Sequence, residues 1–192
     1  LIRWLWPLGL ALALGGCAAV PEAPLVEGRA AQAQVIAAFR LEGRISVRAD
    51  EQPFSGGIVW SRNGQEERIL LRTPLGQGVA EIQLAPGRAV LVDAEGRRLE
   101  AQDGETLLQQ ALGWSLPLSG MGRWVTGQPD ASRPFTGRMD ALGRWLVIEQ
   151  DGWRIAFDRH AEQNGLALPG RLVARRGEAL EIRLVVDAWQ AQ

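Results

Sequence analysis

Residues 41–48, Leu-Glu-Gly-Arg-Ile-Ser-Val-Arg, alternate strictly. Leu41, Gly43, Ile45 and Val47 fall on one side, and Glu42, Arg44, Ser46 and Arg48 on the other. A period of two marks a strand with one wet face. The same signature recurs near 56–61, 67–72, 79–85, 88–93 and 97–101. After a break it returns near 135–138, 143–149, 153–158, 170–175 and 179–187. Ala94-Glu-Gly96 and Asp151-Gly152 sit between such runs as tight hairpin signals. About eleven strands joined by short turns predict an antiparallel, curled sheet or barrel.

Two stretches break the alternation. Residues 29–40 lack Gly and Pro and are rich in good helix formers. Ala31, Val35, Ala38 and Phe39 would share one helical face, so a helix is expected there. Within 103–128, Asp103 can cap a helix whose apolar stripe is Leu107, Leu108, Ala111 and Leu112, ending at Gly113. A second short helix is expected from Leu118 through Met121, Trp124 and Val125 to Gly127 and Pro129. These helices must pack on the sheet or cover one end of it.

The front of the chain reads differently. Arg3 precedes an apolar run, Trp4 to Leu14, that is too short to span a bilayer but long enough for a signal-peptide core. Leu14-Gly-Gly-Cys17 follows, like a bacterial lipobox. Residues 1–16 are therefore expected to be a lipoprotein signal peptide. Cys17, the one cysteine of the chain, is expected to be the lipidated residue, which leaves none for an internal disulfide. Residues 17–28, with Pro21 and Pro24, read as a tether, and 29–192 as a single domain. Ala18 after the cysteine, rather than Asp, points to the outer membrane.

Charge adds little. The 21 basic residues are all Arg and face 22 acidic ones. No charge run suggests nucleic acid. The inventory also argues against catalysis. His160 is the one histidine, in a polar segment read as an exposed turn, with no metal-ligand spacing around it. No serine sits in a nucleophile-elbow context. No enzyme activity, metal or cofactor is expected.

The aromatic residues change the picture more. Tryptophans at 60, 114, 124, 145, 153 and 189 follow the lipobox-like stretch, and there is no tyrosine. Ile58 and Trp60 share one strand face, as do Trp153, Ile155 and Phe157 on another. Such a face can be packed, or left hollow for an apolar ligand. Periodicity does not distinguish the two. Thr73-Pro74-Leu75-Gly76 is a turn with a leucine where Asn, Asp or Ser is usual.

The chain resembles the LolB family through an ordered set of segments. These are Glu42-Gly43, Trp60, Thr73-Pro74-Leu75-Gly76, Pro86-Gly87, Val90-Leu-Val-Asp93 and Gly96-Arg-Arg98. They continue with Leu116-Pro117-Leu118, Arg123-Trp124, Leu168-Pro169 and Asp187-Ala188-Trp189. The resemblance implies a mainly β fold, an unclosed antiparallel barrel of about eleven strands with helices at its mouth and an apolar cavity. It implies an outer-membrane receptor that takes lipoproteins by their acyl chains from the periplasmic carrier LolA. The receptor inserts them into the inner leaflet of the outer membrane. Ile58, Trp60, Leu118, Met121, Trp124 and Ile155 are the expected acyl-chain site. Pro74, Leu75 and Gly76 are the expected membrane-insertion loop, and a monomer is expected. Two other classes share parts of the pattern: a lipocalin-like carrier of a small apolar ligand, and a structural envelope lipoprotein with a filled core.

Overall fold

A computed structural model describes residues 25–27, 36–49 and 52–191. The signal-like run, Cys17, most of the tether and residues 29–35 of the expected first helix lie outside the described residues. In chain order the strands are β1 (Leu25–Glu27), β2 (Ala38–Arg48), β3 (Phe54–Asn63), β4 (Glu66–Arg72), β5 (Gly78–Ala85), β6 (Arg88–Asp93) and β7 (Arg98–Ala101). Helices α1 (Gly104–Leu112) and α2 (Leu118–Trp124) follow, and then β8 (Thr136–Met139), β9 (Trp145–Gln150), β10 (Trp153–Gln163), β11 (Leu166–Arg176) and β12 (Leu180–Ala191).

All twelve strands form one sheet in the order β1-β8-β9-β10-β11-β12-β2-β3-β4-β5-β6-β7. Every neighbouring pair is antiparallel. β1 and β7 are the two ends of that order and do not pair, so the barrel is unclosed. Eleven strands match the runs read from alternation. The twelfth, β1, lies in the stretch read as tether, and its three residues pair with β8.

The sheet wraps one apolar cluster drawn from the inward positions of nearly every long strand and from both helices. Each large side chain so buried contributes roughly 1.5–3 kcal/mol. β2 and β12 approach closely at a bulge. A β-carbon on Gly43 would lie 2.2 Å from the Val185 carbonyl oxygen, so only glycine fits there.

Helix α1 forms as its sequence dictates. The Asp103 side chain accepts from the Thr106 N–H at 2.8 Å, and Gly113 closes the helix with φ 69°. Leu107 and Leu108 are buried. α1 packs on β6 and β7 at one edge of the sheet, and α2 packs against α1. Trp124, the last residue of α2, reaches the far half of the sheet, where its ring lies 5.9 Å from that of Trp153 in β10. The two helices thus link the β6–β7 edge to the β9–β10 side.

Two expectations are corrected. Ala38, Phe39 and Arg40, read as the end of a helix, begin β2. Phe39 pairs with Arg62 of β3 on one side and Ala191 of β12 on the other. Its ring meets Trp60 and Trp189 at 6.3 and 5.8 Å. Pairing on both sides outweighs a helix propensity worth tenths of a kcal/mol per residue. His160, read as part of an exposed turn, lies in β10 opposite Pro169 and is half-buried. The turn falls later, at Asn164-Gly165, where both residues have positive φ as a two-residue hairpin requires.

Candidate lipid-binding interior and exposed loop tips

Ile58, Trp60 and Arg62 point inward from β3 and meet the inward residues of β4, Glu67, Ile69 and Leu71. The Trp60 Nε1–H donates to Glu67 Oε2 at 2.7 Å. Arg62 donates to Glu67 Oε1 through Nε at 3.1 Å and Nη2 at 2.5 Å. The Arg62 and Glu67 side chains are only 9% and 11% exposed, so this ion pair is nearly buried. The guanidinium also stacks over Phe39, 5.3 Å from the ring centre. α2 lies on top of the pair. A β-carbon built on Gly122 would come within 1.7 Å of Arg62 Nη2 and 2.8 Å of Glu67 Oε1.

The other end of α2 is fixed by Gln150 of β9, a buried polar residue. Its Oε1 accepts from Trp124 Nε1 at 3.1 Å and from the Asp130 N–H at 2.9 Å. Its Nε2 donates to the Asp130 carbonyl at 2.8 Å. Trp114, after α1, donates its indole N–H to the Gln52 carbonyl at 2.8 Å. The helical layer is thus held by apolar packing and a handful of directed polar contacts.

All six expected acyl-chain residues, Ile58, Trp60, Leu118, Met121, Trp124 and Ile155, are buried in the single apolar cluster beneath or within this layer. Ile155 pairs with Ile148 and Ala174, which are equally inaccessible. None of the six lines the groove of about 410 Å³ that opens at Arg62, Glu67, Leu84, Arg88 and Val90. Leu84 and Leu118 both abut Gly104, so this groove borders the seam between sheet and helices.

The expected insertion loop is a tight turn. The Thr73 N–H donates to the Gln77 carbonyl at 2.8 Å, and the Gly76 N–H to the Thr73 carbonyl at 2.9 Å. The Thr73 hydroxyl accepts from the Gln77 N–H at 3.2 Å. Gly76 has φ 88°. Pro74 and Leu75 form the tip, and Leu75 is 90% exposed, the most exposed large apolar side chain among the described residues. Cys17 lies outside the described residues.

Four residues of this arrangement escaped the sequence reading: Arg62, Glu67, Gln150 and Leu142. The first three were signalled by phase, since Arg62 alternates in step with Trp60, Glu67 with Ile69, and Gln150 with Ile148. A polar residue at an inward position of a strand implies a buried partner. Leu142, 76% exposed, sits at the tip of the β8–β9 hairpin.

Residues 37–189 match the family model for the outer membrane lipoprotein LolB. The outer-membrane lipoprotein LolB of Nitrosomonas europaea is 37% identical over 195 residues, covering 97% of this chain and 92% of the relative. That of Thiobacillus denitrificans is 38% identical over 183 residues, covering 95% and 94%. In fold, the chain is similar to a DUF1329 family protein from Desulfovibrio piger. That likeness has a TM-score of 0.54 and 10% identity, over 83% of this chain and 87% of that one. With a family match across most of its length and relatives well above 30% identity, the chain belongs to the LolB family of outer-membrane lipoproteins.

Proposed function

We propose that this LolB-family receptor takes the acyl chains of a lipoprotein from the carrier LolA into the space between the sheet and helices α1 and α2. It then passes them to the inner leaflet of the outer membrane. The observation that carries this reading is the continuous apolar inner face, closed by two short helices rather than by closure of the barrel. A helical layer of nine and seven residues, tied at Gly122, Trp124 and Trp114, can lift where a closed barrel could not. In this reading the structure is the closed state. Ile58, Trp60, Leu118, Met121, Trp124 and Ile155 become the acyl-chain lining when the layer moves.

Energetics explain why a protein is needed. A triacylated cargo carries about 45 methylenes at ~0.8 kcal/mol each, so its passage through water costs on the order of 30 kcal/mol. Cavity-to-cavity transfer avoids that barrier. No covalent step is required, and direction follows from rising affinity along carrier, receptor and membrane. The protein acts as a monomer in this reading. Residues 1–16 are removed as a signal peptide, Cys17 carries the lipid anchor, and the residues from there to β1 tether the domain. Leu75, flanked by Pro74 and Gly76, enters the headgroup layer during release.

The test is a two-step transfer with labelled lipoprotein, scoring the carrier-to-receptor and receptor-to-liposome steps separately. The reading expects both steps to proceed without nucleotide. A receptor that takes no cargo from the carrier would refute it.

A further inference from the structure

The turn that presents Leu75 is built three times among the described residues. In Thr73–Gln77, Asp93–Arg97 and Asp140–Arg144 the first N–H donates to the fifth carbonyl at 2.8, 3.1 and 2.9 Å. The fourth residue is glycine with φ 88°, 79° and 76°, and its N–H donates to the first carbonyl. The first side chain accepts from the fifth N–H. The third residue forms the exposed tip: Leu75, Glu95 and Leu142. The last two sequences, Asp-Ala-Glu-Gly-Arg and Asp-Ala-Leu-Gly-Arg, differ only at that tip. The backbone therefore accepts glutamate there, and turn geometry does not explain the leucine at 142.

Position in the sheet suggests an explanation. Hairpin turns alternate between the two rims of an antiparallel sheet. The Leu142 turn lies on the same rim as the β10–β11 and β3–β4 turns, whereas the Leu75 and Glu95 turns lie on the other. β1 pairs antiparallel with β8, and Leu25 lies opposite Arg138. The chain thus enters β1 from the Leu142 rim, beside the base of that hairpin. From Leu25 back to Cys17 an extended chain reaches at most about 28 Å. The hairpin also presents Leu146, so it carries two of the three exposed large apolar side chains among the described residues. Its charges are closed on themselves, with Arg144 Nη2 2.6 Å from Asp140 Oδ2, so the tip itself brings no charge toward lipid.

We propose that the Leu142 turn is a second membrane-contact tip, entering the headgroup layer beside the lipid anchor. The inference rests on the reading of Cys17 as that anchor. Leu75 stands on the opposite rim, so the two tips are separate contacts.

The test uses the mature, lipid-anchored protein in liposomes of phosphatidylethanolamine and phosphatidylglycerol. Once Cys17 is acylated, an added Ala141→Cys is the one free thiol and takes an environment-sensitive nitrobenzoxadiazole label. The expected result is blue-shifted emission, quenched by nitroxide-headgroup lipid, with both effects lost when Leu142→Glu is added. The same label on free cysteine in buffer gives the baseline in water. A water-like spectrum at 141, or one unchanged by Leu142→Glu, overturns the inference. So does a shift that arises only when LolA is added, which would make the tip a carrier contact. Protein that fails to float with the liposomes contradicts the anchor reading itself and this inference with it. Protein that floats with a water-like label contradicts this inference alone.

Discussion

Gly122 of α2 lies directly over Arg62 of β3, so close that a methyl group at 122 would sit 1.7 Å from the guanidinium Nη2. Arg62 cannot swing aside freely, because it is bonded to Glu67 and stacked on Phe39. Gly122→Ala must therefore lift α2 or disrupt the pair. The expected loss is about 1–3 kcal/mol of stability, as for overpacking elsewhere. Denaturant titration measures that loss. Uptake of a lipid probe should rise in the same variant, since the strained contact is the one that holds the layer shut.

Gln150→Leu tests the other fastening. The substitution keeps the bulk but leaves the buried Trp124 N–H and the Asp130 backbone without their partner. The cost is about 2–3 kcal/mol, read as a lower unfolding midpoint. A stability unchanged from the parent protein would show that water replaces the amide and that Gln150 does not fasten α2.

Leu75→Glu should fold normally, because the Asp93 turn already carries a glutamate at the matching tip. The stability change should stay under ~0.5 kcal/mol. The variant should still accept cargo from LolA but deliver it poorly to liposomes, since it forfeits roughly 1.5–3 kcal/mol of apolar contact with the membrane. Failure at acceptance, or normal delivery, would make Leu75 a bystander.

Stability should fall monotonically on acidification. Asp103 is held below the ordinary carboxylate range by the Thr106 N–H and hydroxyl. Glu181 is held low first by its hydrogen bond from Arg183; burial opposes this, and Arg175 adds to the lowering. Groups with depressed folded pKa values contribute stability above the unfolded pKa and lose it as pH falls through the folded one. The loss therefore begins near pH 5 and continues below pH 4. His160 acts in the same sense: burial and then Arg144 lower its pKa, so below about pH 6.5 the unfolded chain takes the proton first. Unfolding midpoints at pH 7, 5.5 and 4 should decrease in that order. A midpoint that rises on acidification would contradict these assignments.

Much of the fold is legible in the sequence because its devices are local. Asp103 and Gly113 mark both ends of α1, Asp151-Gly152 marks a hairpin, and alternation marks eleven of the twelve strands. What escaped depends on distant partners. Ala38–Arg40 look helical until β3 and β12 are placed on either side. Leu25–Glu27 are too few to show any period. The site was legible as a set of inward apolar residues, but its fastenings were not. Trp60, Arg62 and Glu67 meet only when β3 pairs with β4, and Trp124 meets Gln150 across 26 residues of chain. Nothing in the spacing of such residues encodes that meeting.

Contact quenching reads whether acyl chains enter the space lined by Trp60 and Trp124. A lipoprotein carrying brominated acyl chains is transferred from LolA to the receptor, and tryptophan emission is compared with that for the unbrominated cargo. Strong quenching by the brominated cargo is expected, reduced in Trp60→Phe and reduced again when Trp124→Phe is added. Equal emission with the two cargoes, once transfer has been confirmed, would contradict acyl-chain entry there.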